Sequence, residues 1–254
     1  MTKHEMLHIV QSQLATDMNC KLDDLNGEKD SFVFTLMRDN PGRRPFPRSE
    51  QHFEMLSMGM SIVVSASQDI LDIVKPLLSG KSRDEAFSMP FAYGPILYYL
   101  PDLAHIEPLN QPDGFTYEIV EQDDIPALYQ FEGFRGALGY DVNHLRPDIL
   151  VTLAKNDGQI VGIAGASDDC ARMWQVGIDV LPEFRNCGLA AYLVNRLTLE
   201  IIERGFIPYY GTFDSNIASQ RVASRAGYFP AWVCAYKVKY DGLELSPTRS
   251  NGYA

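Results

Sequence analysis

The stretch Ile178-Asp179-Val180-Leu181-Pro182-Glu183-Phe184-Arg185-Asn186-Cys187-Gly188-Leu189-Ala190 leads a strand into a helix by way of a glycine. On its N-terminal side, Met173 to Val180 alternates in polarity and puts Trp174, Val176, Ile178 and Val180 on one face. Pro182 then ends ladder pairing. On its C-terminal side, Leu189, Leu193, Leu197 and Ile201 recur every four residues, the stripe of an amphipathic helix that closes at Gly205. A glycine at the mouth of a helix lets backbone approach a ligand, and the free N–H groups of the first turn together with the helix dipole favour an anion there. This is a seat for phosphate. No Lys-Ser or Lys-Thr follows the glycine and the G-x-G-x-x-G spacing is missing, so neither the nucleotide P-loop nor the dinucleotide fingerprint accounts for it.

Working outward, the residues before the turn read as strand Phe115 to Val120, a helix over about Asp124 to Phe131, an irregular stretch to Pro147, and strand Ile149 to Lys155. Asn156-Asp157-Gly158 is a hairpin turn into strand Gln159 to Ala166, and a polar loop separates that strand from Met173. Beyond the amphipathic helix come strand Ile207 to Phe213, a helix starting near Asp214 or Ser215, the closing Ala226-Gly227-Tyr228, and a last strand Trp232 to Val238.

The first hundred residues carry a helix near 3 to 15, with Leu7, Val10 and Leu14 on one face, and apolar runs Phe32-Val33-Phe34 and Ile62-Val63-Val64. A helix over Asp69 to Leu78 should be kinked or shortened by Pro76 and capped by Gly80. Arg38 to Arg48 is a proline-broken loop that gathers arginines, either solvated or directed at an anionic group. Pro112-Asp113-Gly114 marks a connection. The expected organisation is an accessory domain over 1–112, a ligand-binding domain over 113–240, and a polar tail over 241–254. The expected class is α/β (α+β), a mixed and mostly antiparallel twisted sheet flanked by helices and preceded by a smaller α/β N-terminal domain.

A net charge of −11 over 254 residues disfavours nucleic acid and leans toward a cationic partner such as a small amine. Cys20, Cys170, Cys187 and Cys234 stand far apart without metal-ligand spacing, and His4, His8, His52, His105 and His144 are scattered, so no metal is expected. The chain has no run of apolar residues long enough to cross a membrane as a helix and reads as cytoplasmic. A homodimer is among the assemblies this reading allows.

The strand ending in Val180-Leu181-Pro182, followed by Arg185-x-x-Gly188-x-Ala190, resembles the acyl-CoA signature of the GNAT N-acetyltransferases, V-x-P then R-x-x-G-x-G/A. Asn216, Ser219 and Ala226-Gly227-Tyr228 are similar to that family's downstream N-x-x-S and G-F. The resemblance covers about residues 115 to 240 and is nearly silent on residues 1 to 110.

It implies acetyl-CoA, or a related acyl-CoA, bound through Ile178, Val180, Arg185, Asn186, Cys187, Gly188, Leu189, Ala190 and Asn216. The pantetheine arm would lie where the two strands flanking the signature helix splay apart. An amine would attack the thioester directly, with no enzyme-bound acyl group, so Cys187 is not read as a nucleophile. Arg185 either meets a phosphate or shapes its loop, and Asn216 either meets the pantetheine or caps its helix. Many family members carry a tyrosine acid seven residues after that asparagine, where this chain has Ala223. Ser219, Tyr210 and Tyr228 are the candidate acids, and Asp179 and Glu132 the candidate bases. Tyr98-Tyr99 and Phe91-Ala92-Tyr93 line an acceptor pocket or pack an interface. The rival reading is an acyl-CoA-binding sensor without transfer chemistry, and a weaker one a phosphate-binding protein.

Overall fold

The computed structural model describes residues 1–45 and 51–237. The ends of the arginine loop (46–48), the final residue of the last expected strand (Val238) and the expected polar tail (241–254) lie outside the described residues. Strands β1 (Phe32–Leu36), β2 (Phe53–Ser57), β3 (Ile62–Ala66), β4 (Tyr93–Pro101), β5 (Thr116–Glu121), β6 (Asp148–Asn156), β7 (Gln159–Cys170), β8 (Met173–Val180), β9 (Ile207–Phe213) and β10 (Tyr228–Lys237) form one sheet. Its order is β1-β3-β2-β10-β4-β9-β8-β7-β6-β5. Among the described residues only β1/β3 and β8/β9 are parallel, so the sheet is mixed and mostly antiparallel. The sheet runs through the connection near residue 113: β4, from before it, is hydrogen-bonded between β10 and β9, from after it.

The helices are α1 (Lys3–Met18), α2 (Gln68–Leu78), α3 (Arg83–Phe87), α4 (Leu189–Glu203) and α5 (Ile217–Arg225). Among the described residues no helix is long and apolar enough to cross a membrane. A capping box between Thr2 and Glu5 starts α1, whose buried stripe is Met6, Val10, Leu14 and Met18, with Leu7 half-buried at its edge. Helix α2 continues through Pro76 to Leu78. Proline removes one intrahelical bond near the end of the helix, where the buried face of Ile70, Val74 and Leu78 holds the last turn in place. Gly80 has φ +79°.

Two residue sets sort the faces of the central sheet. Leu189, Leu193, Leu197 and Ile201 of α4 pack on Trp174, Val176, Val180 and Tyr210. The opposite face carries Met173, Ile207 and Tyr209 against Met6, Val10 and Leu14 of α1. Beside α1 on that second face, the segment from 122 to 140 packs Ile125, Leu128, Phe134 and Leu138 on Val151, Leu153 and Ile163. Its first part is a 3-10 helix, Gln122–Gln130, with Pro126 inside it, where an α-helix is expected. At the β6–β7 hairpin, Asp157 (φ +47°) and Gly158 (φ +81°) adopt the left-handed pair that an Asn-Asp-Gly turn favours. Strand β7 runs to Cys170, so much of the polar loop expected before Met173 is strand.

Candidate active site

Strands β8 and β9 pair in parallel from Met173↔Ile207 to Val176↔Tyr210 and no further. Beyond that point, Gly177 to Val180 remain paired with β7, and Gly211 to Phe213 remain paired with β4. The two strands therefore part, leaving main chain that faces a gap. Helix α4 begins just past the end of β8. Its N-cap is Gly188 at φ +88°, and among the described residues no side chain caps its first turn. Among the described residues, a Cβ built on Gly188 would meet nothing within 4 Å.

The turn is stiffened by its own residues. Arg185 is exposed, and its Nε donates to the Val180 carbonyl at 2.8 Å. This supports the loop-shaping role for its Nε. Asn186 is exposed at φ +65°, and the exposed Cys187 thiol donates to the Phe184 carbonyl at 3.2 Å. Leu189 is buried in the core under α4 and Ala190 is half-buried, so both meet the turn through main chain.

Asn216 is the N-cap of α5 and accepts from the Ser219 N–H at 3.1 Å, so the helix begins two or three residues later than expected. The capping role is realised, and Asn216 also lines the cavity at the gap. The Ser219 hydroxyl pairs with Tyr210 Oη at 2.7 Å rather than with its own helix. Burial pushes the Tyr210 phenol up to about 12, against the bond from Ser219. Tyr228 is turned into the core, where its hydroxyl meets Thr198 at 2.6 Å. Ala223 is fully buried in the same core.

Asp179 lies on the second face, opposite Val180 and α4. Its carboxylate accepts the Gly136 N–H at 2.5 Å. Burial pushes this carboxyl above the usual aspartate range, while the Gly136 and Ala137 N–H groups and the Arg185 charge pull it down. Two glycines make that approach. A Cβ on Gly177 would sit 2.0 Å from the Gly136 carbonyl oxygen, and one on Gly165 would sit 2.0 Å from that of Ala137. Only glycine at both positions lets the 136–137 backbone lie on the sheet. Glu132 lines a different cavity, of about 610 Å³, with Phe131, Leu153 and Lys155.

A cavity of about 420 Å³ at the gap is lined by residues from both sides. Ile178, Tyr210, Asn216 and Ser219 line it on the α4 side, and Gln175, Asp179 and Tyr209 on the other. The second-face chamber contains charged groups with little signal in the sequence. Asp17, buried on α1, accepts Arg44 Nε at 2.5 Å and the Arg44 N–H at 2.8 Å. Arg43 lies 3.8 Å from the buried Glu54, whose carboxyl is pushed up by burial and by Asp17, against the pull of Arg44 and Arg43. Arg146 donates to Asp169 at 3.1 Å and to Gln175 at 3.3 Å, and the Tyr209 hydroxyl also donates to Asp169. The arginine loop thus meets carboxylates of the protein itself. Of the expected pocket residues, Tyr98 lines the chamber and stacks on Trp232 at 4.9 Å, whereas Tyr99 and Phe91 are buried in core clusters.

Residues 109–228 match the model of the Acetyltransferase (GNAT) family. No curated protein matches the sequence. Similar solved structures include an acetyltransferase from the GNAT family of Colwellia psychrerythraea (17% identity, 58% of this chain and 57% of that one, TM-score 0.42). A GCN5-related N-acetyltransferase-like protein from Streptococcus suis 89/1591 is similar over 92% of this chain and 98% of that one (17% identity, TM-score 0.48). The yncA protein of Salmonella typhimurium, solved with its cofactor acetyl-CoA, is similar over 54% of this chain and 99% of that one (14% identity, TM-score 0.36). The chain spans less than two thirds of the length of the first of these relatives. The segment 109–228, which holds the β8 turn, α4, the parted strands and α5, is a domain of the GNAT acetyltransferase family.

Proposed function

We propose that this chain transfers an acetyl or related acyl group from acyl-CoA directly to an amine. The observation that carries the reading is the parting of β8 and β9 beyond Val176 and Tyr210, directly beside the uncapped mouth of α4. An anionic pyrophosphate fits the main-chain N–H groups from Gly188 onward, and an extended amide-bearing arm fits an unpaired strand edge. Arg185 holds the end of β8 in place through the Val180 carbonyl and so keeps the turn in register with the gap.

In this reading the acceptor comes from the second face. Its nitrogen attacks the thioester carbonyl, the N–C bond forms, the C–S bond breaks, and no acyl group passes through Cys187. Asp179 takes the proton from the attacking amine. The raised position of its carboxyl brings it closer to the pH at which a base works best. The Tyr210–Ser219 pair, on the other side of the gap, donates to the leaving sulfur. This pair supplies hydroxyl groups at the gap although position 223 itself carries none, which favours transfer over the sensor reading.

The test is transfer of labelled acetyl from acetyl-CoA to a panel of amines, amino acids and polyamines, with calorimetry of acetyl-CoA binding run beside it. Turnover that falls in D179N and Y210F supports the reading. Tight binding with no transfer to any acceptor leaves the sensor, and protection from heat by free phosphate as strong as that by acetyl-CoA leaves the phosphate-binding protein.

A further inference from the structure

The cavity at the gap is lined by the carboxyls of Asp17, Glu54, Asp169 and Asp179. Two of them are hydrogen-bonded to guanidinium groups, Asp17 to Arg44 at 2.5 Å and Asp169 to Arg146 at 3.1 Å. The other two are not. Asp179 accepts main-chain N–H groups of the 136–137 segment, and the chemistry proposed above employs it. Glu54 has no such use. It is only 8% exposed, yet among the described residues no donor lies within hydrogen-bond reach of its carboxyl. Arg43 and His52 each stand 3.8 Å away, and burial together with the Arg43 charge pushes the His52 imidazole down to about 4, which leaves it neutral near pH 7. A carboxyl this deep ordinarily accepts hydrogen bonds.

A second oxygen in the same cavity is in the same condition. The Tyr98 ring lies over Gly211, where a Cβ would come within 2.8 Å of it, and stacks on Trp232 at 4.9 Å. The ring is held in place, but among the described residues the hydroxyl bonds to nothing. Burial first, then Cys234 and Glu54, push this phenol up, so it stays protonated beside the carboxyl. Neither Glu54 nor Tyr98 lies in the segment 109–228 that matches the family.

Strand β2, which carries Glu54, and β8, which carries Asp179, are separated in the sheet by β10, β4 and β9. Four strand spacings amount to about 19 Å. Tyr98 and Tyr209 belong to the strands between. Resting on the transferase reading above, we infer that the acceptor is an elongated amine with a second ammonium group at its far end. The reacting nitrogen meets Asp179, the carbon chain crosses the tyrosine rings, and the far ammonium donates to Glu54 and to Tyr98 Oη. A carboxylate can accept from more than one partner, so Glu54 takes the ammonium while Arg43 keeps its place. The charge of Arg44 is balanced by Asp17.

The experiment measures kcat/KM for labelled acetyl transfer to α,ω-diamines, from ethylenediamine through cadaverine to longer members. Each is run beside the monoamine of equal chain length, with the statistical advantage of two equivalent ends divided out. Among the longer chains a diamine should exceed its monoamine about tenfold or more, the discrimination given by one charge-assisted hydrogen bond. Ethylenediamine, too short to reach from Asp179 to Glu54, should show no such gain. E54Q, which keeps the shape and removes the charge, should lose most of that ratio through the diamine KM, and Y98F, which keeps the stacked ring, should lose part of it. Diamines no better than monoamines at every length overturn the proposal. So does an E54Q loss shared equally by both acceptors, which marks a structural defect. A ratio unchanged in Y98F overturns it even where E54Q fails to fold. Failure to bind acetyl-CoA in calorimetry overturns the transferase reading and this proposal with it, whereas transfer without preference for the second amine overturns this proposal alone.

Discussion

Replacing Gly177 by alanine tests how the second face is assembled. The added Cβ would lie 2.0 Å from the Gly136 carbonyl oxygen, against ordinary contact at about 3.4 Å or more. The overlap exceeds 1 Å and falls on backbone, so the 136–137 segment must lift off the sheet. Lifting it breaks the 2.5 Å bond from Gly136 to Asp179, and a hydrogen bond to a charged group is worth about 1.5–3 kcal/mol. It also disturbs the packing of Phe134, Ala137 and Leu138, and overpacking costs about 1–3 kcal/mol more. Against this, alanine restricts the unfolded chain and returns about 0.4–1 kcal/mol. The net expectation is a loss of about 2–5 kcal/mol, read as a lower midpoint in urea unfolding at constant slope. The same substitution at Gly139 is the internal control: its Cβ would meet Asp148 at an ordinary 3.5 Å, and its stability should stay near wild type or rise slightly. A G177A protein as stable as wild type, with unchanged transfer kinetics, would refute the claim that glycine is required for this contact and that the contact positions Asp179.

Four further outcomes follow from the same geometry. G188V should abolish acetyl-CoA binding in calorimetry, because a branched side chain strains φ +88° and stands where the proposed pyrophosphate approaches the main chain; unchanged binding places the cofactor elsewhere. In the proposed mechanism Asp179 acts as a carboxylate base, so kcat/KM should rise with pH along a limb above the usual aspartate range, and D179N should lose that limb with about 10²-fold or more of the rate. The stability linkage has the opposite sign: a folded-state pKa above the unfolded one favours the native state at low pH, and that contribution fades as pH rises through the folded value. D17N should cost about 3–5 kcal/mol in urea unfolding, since it leaves the Arg44 guanidinium buried without its charge partner; a near-neutral D17N would show that Arg44 relaxes toward solvent. C187A should keep its transfer rate, and abolished transfer at normal acetyl-CoA affinity would revive a covalent route.

What the sequence disclosed follows from how local each signal is. The strand, turn and helix around Gly188 are set by alternation, a proline and a four-residue stripe within thirty residues, and they appear in the structure at the expected places. The Asn-Asp-Gly hairpin is equally local. Strand β2 has no polar alternation, since every residue from Phe53 to Ser57 is buried, and β4 offers a run of tyrosines that reads as pocket lining. Both are strands because of partners far away in sequence. The chamber was hidden for the same reason: Arg44, Arg146 and Tyr209 meet only through the fold. One clue was available, since Asp17 falls within the buried stripe of α1, where an unpaired carboxylate would be costly.

The position of β4 between β10 and β9 has a consequence for biosynthesis. On the ribosome, β2 and β4 are made long before β10, the strand that both of them flank. Until residues 228–237 emerge, β2 and β4 each present an unsatisfied edge, and the early strands cannot complete their pairing. Folding of this sheet is therefore completed after synthesis of its last strand rather than piece by piece during it. A fragment cut to residues 109–228 would lack both β4 and most of β10 and would expose the free edge of β9 to other chains.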